Sequence, residues 1–283
     1  MSNDRKAFDG GVAVITGAGA GLGEGLARRA AALGMAVVVA DIDEARAQVV
    51  AADIRAAGGS ADAVKVDVSR AEELDRLADW VYARHDEVRL LINNAGVETI
   101  GNSWELSADL WERTLDINIH GVIHGVRAFT PRMLASPNRS YIANLASVGA
   151  FGQMPLQTAY IVTKHAVQAF TECLYLELEL KKAPIQVSSI IPGMVKTRIF
   201  DDAKPAADAQ AARHQEVMRQ SMAAYGMELD EACKVILEQV ADGAFWVSTQ
   251  PEMTQSIAGN RARFLTEREA PALTDETRAL LDA

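Results

Sequence analysis

Tyr160-Ile-Val-Thr-Lys164 carries a phenol and an ammonium four residues apart, and Ser147 lies thirteen residues upstream of the tyrosine. On a helix those two side chains project from one face. A free phenol, with a pKa of about 10, is a poor base at neutral pH. A neighbouring positive charge stabilises phenolate, and each unit of depression corresponds to about 1.4 kcal/mol. Two such charges in a dry cleft would bring Tyr160 into the range of acid–base work. Ser147 can hydrogen-bond a substrate oxygen and stabilise charge that develops there. The chemistry this set suits is proton transfer at an alcohol or carbonyl oxygen. Taken alone, a Tyr-x-x-x-Lys pair also arises by chance on exposed helices.

The second positive charge is proposed by the glycine-rich stretch Thr16-Gly17-Ala18-Gly19-Ala20-Gly21-Leu22-Gly23. A strand followed by glycines and a helix sets unpaired N–H groups and a positive helix terminus against a phosphate. Gly17, Gly21 and Gly23 give backbone freedom and room for a cofactor's close approach. The spacing is Thr-Gly-x-x-x-Gly-x-Gly rather than G-x-G-x-x-G, and a glycine run by itself reads equally as a tight turn. Asp41 favours the dinucleotide. It ends the second apolar run eighteen residues after Gly23, where a carboxylate accepts from both adenosine ribose hydroxyls and repels a 2′-phosphate. Ile42, Asp43 and Glu44 follow it with no Arg or Lys, so NAD is favoured over NADP; Asp41 and Asp43 also read as caps of the next helix. Asp67-Val68 suits the adenine, and Asn93-Asn94-Ala95-Gly96 suits either cofactor backbone or a brace of the sheet. An oxidised nicotinamide would add its charge to that of Lys164, which can also bond the nicotinamide ribose. Asn118, in Leu115-Asp-Ile-Asn-Ile-His120, sits in a helical pattern for which asparagine has no preference; it suits a water relaying protons from Lys164.

Those residues need a scaffold, and the pattern supplies one. Val12–Thr16, Val37–Asp41, Ala63–Val68, Leu90–Asn94, Tyr141–Ser147 and Gln186–Pro192 read as strands. Gly21–Gly34, Glu44–Ala57, Ala71–His85, Asp109–Ala135 and Thr158–Lys182 read as helices between them. Continuous apolar strands alternating with helices predict an α/β fold, a doubly wound parallel sheet in a Rossmann-like three-layer sandwich. Ligands of such sheets bind beyond the carboxyl ends of the strands, which is where Thr16, Asp41, Asp67, Asn94, Ser147 and Gly193 fall. Further helices are expected at about Gln210–Tyr225 and Asp230–Ala241, with a last strand at Ala244–Thr249. The whole of 1–283 reads as a single domain, with a substrate lid at 194–227 and a charged, partly helical C-terminal extension at 251–283.

The chain has 283 residues, enough for one large core. With 49% hydrophobic and 23% charged residues it reads as an ordinary globular protein. A formal net charge of −10 argues against a broad nucleic-acid or acidic-membrane footprint. The polar Met1-Ser-Asn-Asp-Arg-Lys6 start does not resemble a signal peptide, and runs such as Met35–Ala40 are too short to span a bilayer. Cys173 and Cys233 have no metal or redox spacing, so a reducing cytoplasm is the expected location.

Thr16–Gly23, Asp41, Asp67, Asn93–Gly96, Asn118, Ser147, Tyr160, Lys164 and Pro192-Gly193-Met-Val-Lys-Thr197 together resemble the short-chain dehydrogenase/reductase family, in its shorter-chain subgroup, over roughly residues 10–200. The resemblance implies a catalytic tetrad of Asn118, Ser147, Tyr160 and Lys164. It also implies that Val195 and Thr197 contact the nicotinamide carboxamide, that Pro192 and Gly193 belong to the cofactor site, and that the protein forms homodimers or homotetramers. Ala146-Ser147 stands where many members have two serines. The chain also lacks the glycine-rich ending of many members and carries Phe245-Trp-Val-Ser-Thr-Gln-Pro251 instead. The ending, His120–Val126 and Thr130–Met133 together resemble bacterial members acting on bulky, often aromatic, secondary alcohols.

The expected activity is thus NAD(H)-dependent interconversion of a secondary alcohol and a ketone, the small-molecule substrate resting in an apolar pocket that includes Met154, Gln157 and Phe200. Two rivals are an NAD-sensing interaction protein without turnover and a sugar-nucleotide epimerase or dehydratase, which shares Tyr-x-x-x-Lys. His120 and His124 have metal-pair spacing, but position 121 is Gly rather than the Glu of H-E-x-x-H, so no metal is expected. Glu177 and Glu179 face different sides of a helix and make no glycosidase pair. Met194, Met218, Met222 and Met227 suit an adaptable pocket or ordinary core.

Overall fold

The computed structural model describes residues 3–205, 208–273 and 275–282. Residues 1 and 2 of the polar start, 206 and 207 of the expected lid, and 274 and 283 of the expected extension lie outside the described residues. In chain order the elements are α1 (Asn3–Phe8), β1 (Val12–Thr16), α2 (Gly21–Ala32), β2 (Ala36–Asp41), α3 (Glu44–Ala56), β3 (Ser60–Lys65), α4 (Ala71–Tyr82), β4 (Leu90–Asn93) and β5 (Thr99–Ile100). Next come α5 (Ala108–Leu115), a π-helical turn at Asp116–His120, α6 (Gly121–Ala135), β6 (Ser140–Leu145), a 3-10 turn at Val148–Ala150, α7 (Thr158–Leu180) and β7 (Ile185–Ile191). The chain ends with β8 (Lys204–Pro205), α8 (Ala209–Tyr225), α9 (Leu229–Ala241), β9 (Trp246–Ser248), α10 (Pro251–Glu267) and α11 (Asp275–Asp282).

Seven strands form one sheet in the order β3-β2-β1-β4-β6-β7-β9, parallel at every pairing. Side chains of a strand alternate between faces, and β1 is buried along its whole length. Ala13 and Ile15 pack with α2, α3 and α9. Val12 and Val14 pack on the other face with α4, α6 and α7. Both faces are covered, which is why the strands read as unbroken apolar runs rather than as an alternation. The expected Rossmann-like doubly wound sheet, with helices after it, is what the chain forms.

From β1 the chain goes to β2 on one side and, after β3, returns to β4 on the other. The crevice beyond β1 and β4 is therefore the topological switch point. Thr16 and Asn94 set its walls. The Thr16 hydroxyl accepts from the N–H groups of Asn94 (3.1 Å) and Ala95 (3.2 Å), while Asn94 Nδ2 donates to the carbonyls of Thr16 (2.8 Å) and Gly17 (3.1 Å).

Beyond shifts at element ends, three features differ from expectation. β3 covers Ser60–Lys65 rather than Ala63–Val68. It is an edge strand paired only with β2, beginning at Ala36↔Ser60, so its opening residues need not be apolar; buried Val66 and Val68 follow the strand. The expected helix Asp109–Ala135 is interrupted by the π-turn at Asp116–His120. Finally, β5 and β8 pair with each other in a separate two-stranded sheet, which ties the segment after β4 to the segment after β7. No helix among the described residues is long and apolar enough to cross a membrane.

Candidate active site

Ser147, Tyr160 and Lys164 converge. Ser147 follows β6 in extended conformation, and its hydroxyl accepts from Gly149 N–H at 3.0 Å, capping the 3-10 turn. A Cβ at Gly149 would lie 3.4 Å from Ser147 Oγ and 3.6 Å from the Tyr160 ring, so the two side chains border one small space. Lys164, one turn further along α7, is buried and holds its Nζ 5.4 Å from the centre of the Tyr160 ring. That ammonium donates to Leu145 O at 2.8 Å, fastening α7 to the end of β6.

Asn118 lies in the π-turn and is fully buried. Its Oδ1 accepts from Val97 N–H at 2.8 Å, and its Nδ2 donates to Val97 O at 2.9 Å and Thr163 Oγ1 at 3.0 Å. The side-chain amide is therefore occupied in joining the segment after β4 to α7. A π-turn widens the helix and commonly marks a functional position, which accounts for an asparagine in an otherwise helical run.

One electrostatic expectation is corrected. Lys164 together with an oxidised nicotinamide was expected to draw the Tyr160 phenol below its ordinary pKa, and Lys164 does not do so by itself. Instead, burial and the carboxylate of Glu98 hold the phenol above 10, with only the Ser147 hydroxyl pulling the other way. Lys164 itself is lowered to about 8 by burial, partly offset by Glu98. Glu98 was not foreseen. It is 3% exposed and raised to about 8 by burial, against the pull of the Thr99 N–H bond and of Lys164. The available signal was a lone charge in the β-branched run Val97-Glu98-Thr99-Ile100.

The sign of the resulting stability effect follows from linkage. Between the ordinary carboxyl value of 4.5 and about 8, folded Glu98 holds a proton that the unfolded chain lacks, so stability falls as pH rises through that window. Glu98→Gln should therefore gain stability over the native protein across it, by on the order of a few kcal/mol at its top. Thermal unfolding at several pH values checks this; a pH-independent difference would contradict it.

The glycine turn is tightly constrained. Gly17 (φ +62°) and Gly21 (φ +55°) occupy left-handed conformations, and a Cβ at Gly23 would lie 2.2 Å from Gly17 O. The free N-terminus of α2 begins at Gly21, across from Thr197, whose side chain is 3.6 Å from where a Gly21 Cβ would be. Leu22 is buried behind it, its carbonyl accepting from Cys233 Sγ. Asp41 ends β2 and accepts from Gly19 N–H (2.8 Å) and Asp43 N–H (2.9 Å), while Asp43 caps α3 through Arg46 N–H. Arg46 packs beside Gly19 and Asp41, a cation that inspection of Ile42–Glu44 missed; its guanidinium is 3.2 Å from Asp43 and 3.8 Å from Asp202.

The other expected cofactor residues have surroundings of their own. Asp67 Oδ1 accepts from the backbone and hydroxyl of Ser69, and Val68 is buried against Gly121. Gly96 lets the chain pass Asn118 and Lys164, 3.4 and 3.7 Å from where its Cβ would be. Pro192 O accepts from Val148 N–H, and Gly193 is pressed against Gln250 and hydrogen-bonded to Thr249. Val195 has its side chain in the core.

Beside Tyr160 lies a separate apolar cluster of Ile100, Leu156, Ala159, Phe200 and Met222, with Met194 and Met218 packed on it. Gln157 is buried and its Nε2 has no hydrogen-bond partner. Met154 is half-buried on the same loop. Cys233 packs against Gly25, and burial pushes its thiol up to about 12, a structural role. Among the described residues no cluster of three or more His, Cys, Asp or Glu could hold a metal.

A family model described as short chain dehydrogenase matches residues 11–208. This chain belongs to the short chain dehydrogenase family. Relatives of this chain carry the names of oxidoreductases. It is 35% identical over 199 residues to "Probable oxidoreductase EphD" of Mycobacterium tuberculosis (strain ATCC 25618 / H37Rv), a match covering 70% of this chain but only 33% of that longer protein. It is 33% identical to "Cyclohexanol dehydrogenase" of Acinetobacter sp. (strain SE19), covering 71% of this chain and 78% of the relative. Among solved structures, a short chain dehydrogenase/reductase from Burkholderia phymatum in complex with NAD superimposes with a TM-score of 0.89 at 32% identity, covering 94% of this chain and 98% of that one.

Proposed function

We propose that this protein interconverts a secondary alcohol and its ketone with NAD(H), using Tyr160, Lys164, Ser147 and Asn118. The observation that carries the reading is the meeting of a serine hydroxyl, a phenol and a buried ammonium beside a glycine turn shaped for a phosphate. A nicotinamide ring bound there supplies hydride exchange and, when oxidised, a positive charge. Ser147 holds the substrate oxygen. Tyr160 takes the hydroxyl proton in oxidation and returns it to the carbonyl oxygen in reduction. Lys164 favours the phenolate by its charge and orients the nicotinamide ribose. Asn118 has its amide fully engaged, so a relay water would rest on its main-chain carbonyl.

The cofactor rests on Gly17, Gly21, Leu22 and Gly23 beneath the pyrophosphate and Asp41 at the ribose, with Asp67, Val68, Asn94 and Gly96 lining the adenine side and crevice, and Pro192, Gly193, Val195 and Thr197 closing the nicotinamide end. Asp41 selects NAD; Arg46 does not offset it, because Asp43 and Asp202 engage its guanidinium. The NAD in the Burkholderia relative supports this. Asp41→Asn keeps an acceptor for Gly19 N–H while removing the charge. It should weaken NAD about tenfold and narrow the preference over NADP, as read by Kd for both cofactors. A native protein that prefers NADP would overturn the assignment.

The substrate is an apolar secondary alcohol or ketone held by Met154, Phe200 and the cluster beside Tyr160, under a lid of residues 194–227. The buried Gln157 Nε2 suits a second oxygen on that substrate. Cyclohexanol in the name of the Acinetobacter relative fits this class. Exposed Val162, Tyr175, Leu176 and Leu180 on α7 support assembly into a homodimer or homotetramer. Assay of cyclic and aromatic secondary alcohols and their ketones with both cofactors, followed by nicotinamide absorbance, tests the proposal. Tight NAD binding without turnover across the panel would overturn it in favour of a sensing role.

A further inference from the structure

We propose that Glu98 is a positioning residue of the acid–base site: its buried carboxylate, at the entry to a strand packed on the helix that carries Tyr160 and Lys164, opposes the phenolate and so sets the pH range in which each direction of the reaction runs. The inference rests on the reading of Tyr160 as the acid–base group.

Glu98 stands at the entry to β5, immediately after the segment that Asn118 grips through both polar groups of Val97. Its carboxylate accepts one bond, from Thr99 N–H at 3.0 Å. A purely structural buried carboxylate is expected to collect several such bonds. The elements packed most extensively against β5 are α7, α8 and β8, and Thr114 of α5 meets Thr99. From α7 come Lys164 and Tyr160; α8 carries buried His214, β8 carries exposed Lys204, and the α5 contact is a hydroxyl. Lys164 is the cation whose field reaches Glu98, yet its Nζ donates to Leu145 O.

A negative charge beside a phenol disfavours phenolate. Alcohol oxidation needs the phenolate, so ionised Glu98 delays it to higher pH. Ketone reduction needs the protonated phenol, so the same charge keeps reduction running further into the alkaline range. The overall equilibrium is untouched; only the form of the site at a given pH changes. Burial of Glu98 places its own ionisation where this matters, at about 8.

Glu98→Gln keeps an acceptor for Thr99 N–H and nearly the same volume. For alcohol oxidation, the acid-side midpoint of kcat/KM should move down by about one to two pH units, and the alkaline limit of ketone reduction should move down with it. Glu98→Asp, which retains a carboxylate, should return the profile towards the native one. A merely structural role would lower rates without moving either midpoint. The second readout needs no turnover: ultraviolet difference titration of phenolate with NAD⁺ added, with the Tyr160→Phe signal subtracted. The Tyr160 midpoint should fall by a similar amount in Glu98→Gln. If that midpoint stays at the native value in folded Glu98→Gln, the proposal is overturned. A panel without turnover alongside a shifted phenolate midpoint overturns the alcohol–ketone reading instead and leaves the role of Glu98 standing.

Discussion

Tyr160→Phe loses turnover by about 10²–10⁴-fold in kcat while binding NAD as tightly as the native protein. The substitution removes one oxygen and leaves the ring. The backbone carbonyl of Tyr160 still accepts from Thr163 Oγ1, and Lys164 is held by Leu145 O rather than by the phenol. Ser147 keeps its bond from Gly149 N–H. Nothing that shapes the glycine turn touches the lost hydroxyl, so a fall in NAD affinity would mean that the residue has been given the wrong role. Stopped-turnover and equilibrium-binding measurements on the same preparation separate the two effects. Activity within about tenfold of native would leave the acid–base proposal without its central group. Burial already holds the phenol above its ordinary value, so the catalytic task of the site is to overcome that penalty, which neighbouring positive charge can do and a phenyl ring cannot exploit.

The strand ends were legible because their signals are local. Val12–Thr16 has its predicted bounds, and Asp41 closes β2 where a β-branched run meets a helix cap. Tyr160 and Lys164 share a face of α7 by helical geometry alone. What stayed hidden depends on pairing between distant segments. The two residues of β5 become a strand only because β8 lies beside them. Ser60 and Asp62 are polar and exposed because an edge strand leaves one side open. Arg46 reaches Gly19 by the way α3 packs on the glycine turn, a relation invisible in the residues directly after Asp41. Burial, with Glu98 adding to it, raises the Tyr160 phenol instead of lowering it, and Glu98 is brought in by a segment that Asn118 fastens to α7. Residue types identify the groups that can do chemistry; the sign of their mutual influence is set by packing.

Gly23→Ala gives the contrasting result, losing cofactor binding before any chemistry. A Cβ at this position would lie 2.2 Å from Gly17 O and 2.4 Å from Asn94 Nδ2. Neither neighbour has room to give. Gly17 is fixed at φ +62° with its own missing Cβ 2.7 Å from the Cα of Ala95, and Asn94 bonds both Thr16 O and Gly17 O. Relief of the clash therefore moves the turn proposed to cradle the phosphate and loosens the brace between β1 and β4. Overpacking of this kind costs about 1–3 kcal/mol. NAD affinity should fall by at least about tenfold, because a displaced amide no longer points at the phosphate. Calorimetric binding and thermal unfolding read the two effects. Gly259→Ala is the control: it lies within α10 where an added Cβ meets nothing within 4 Å, so alanine there should be neutral or stabilising by up to about 1 kcal/mol. Equal behaviour of the two variants would show that the Gly17–Gly23 turn is an ordinary loop and that the phosphate rests elsewhere.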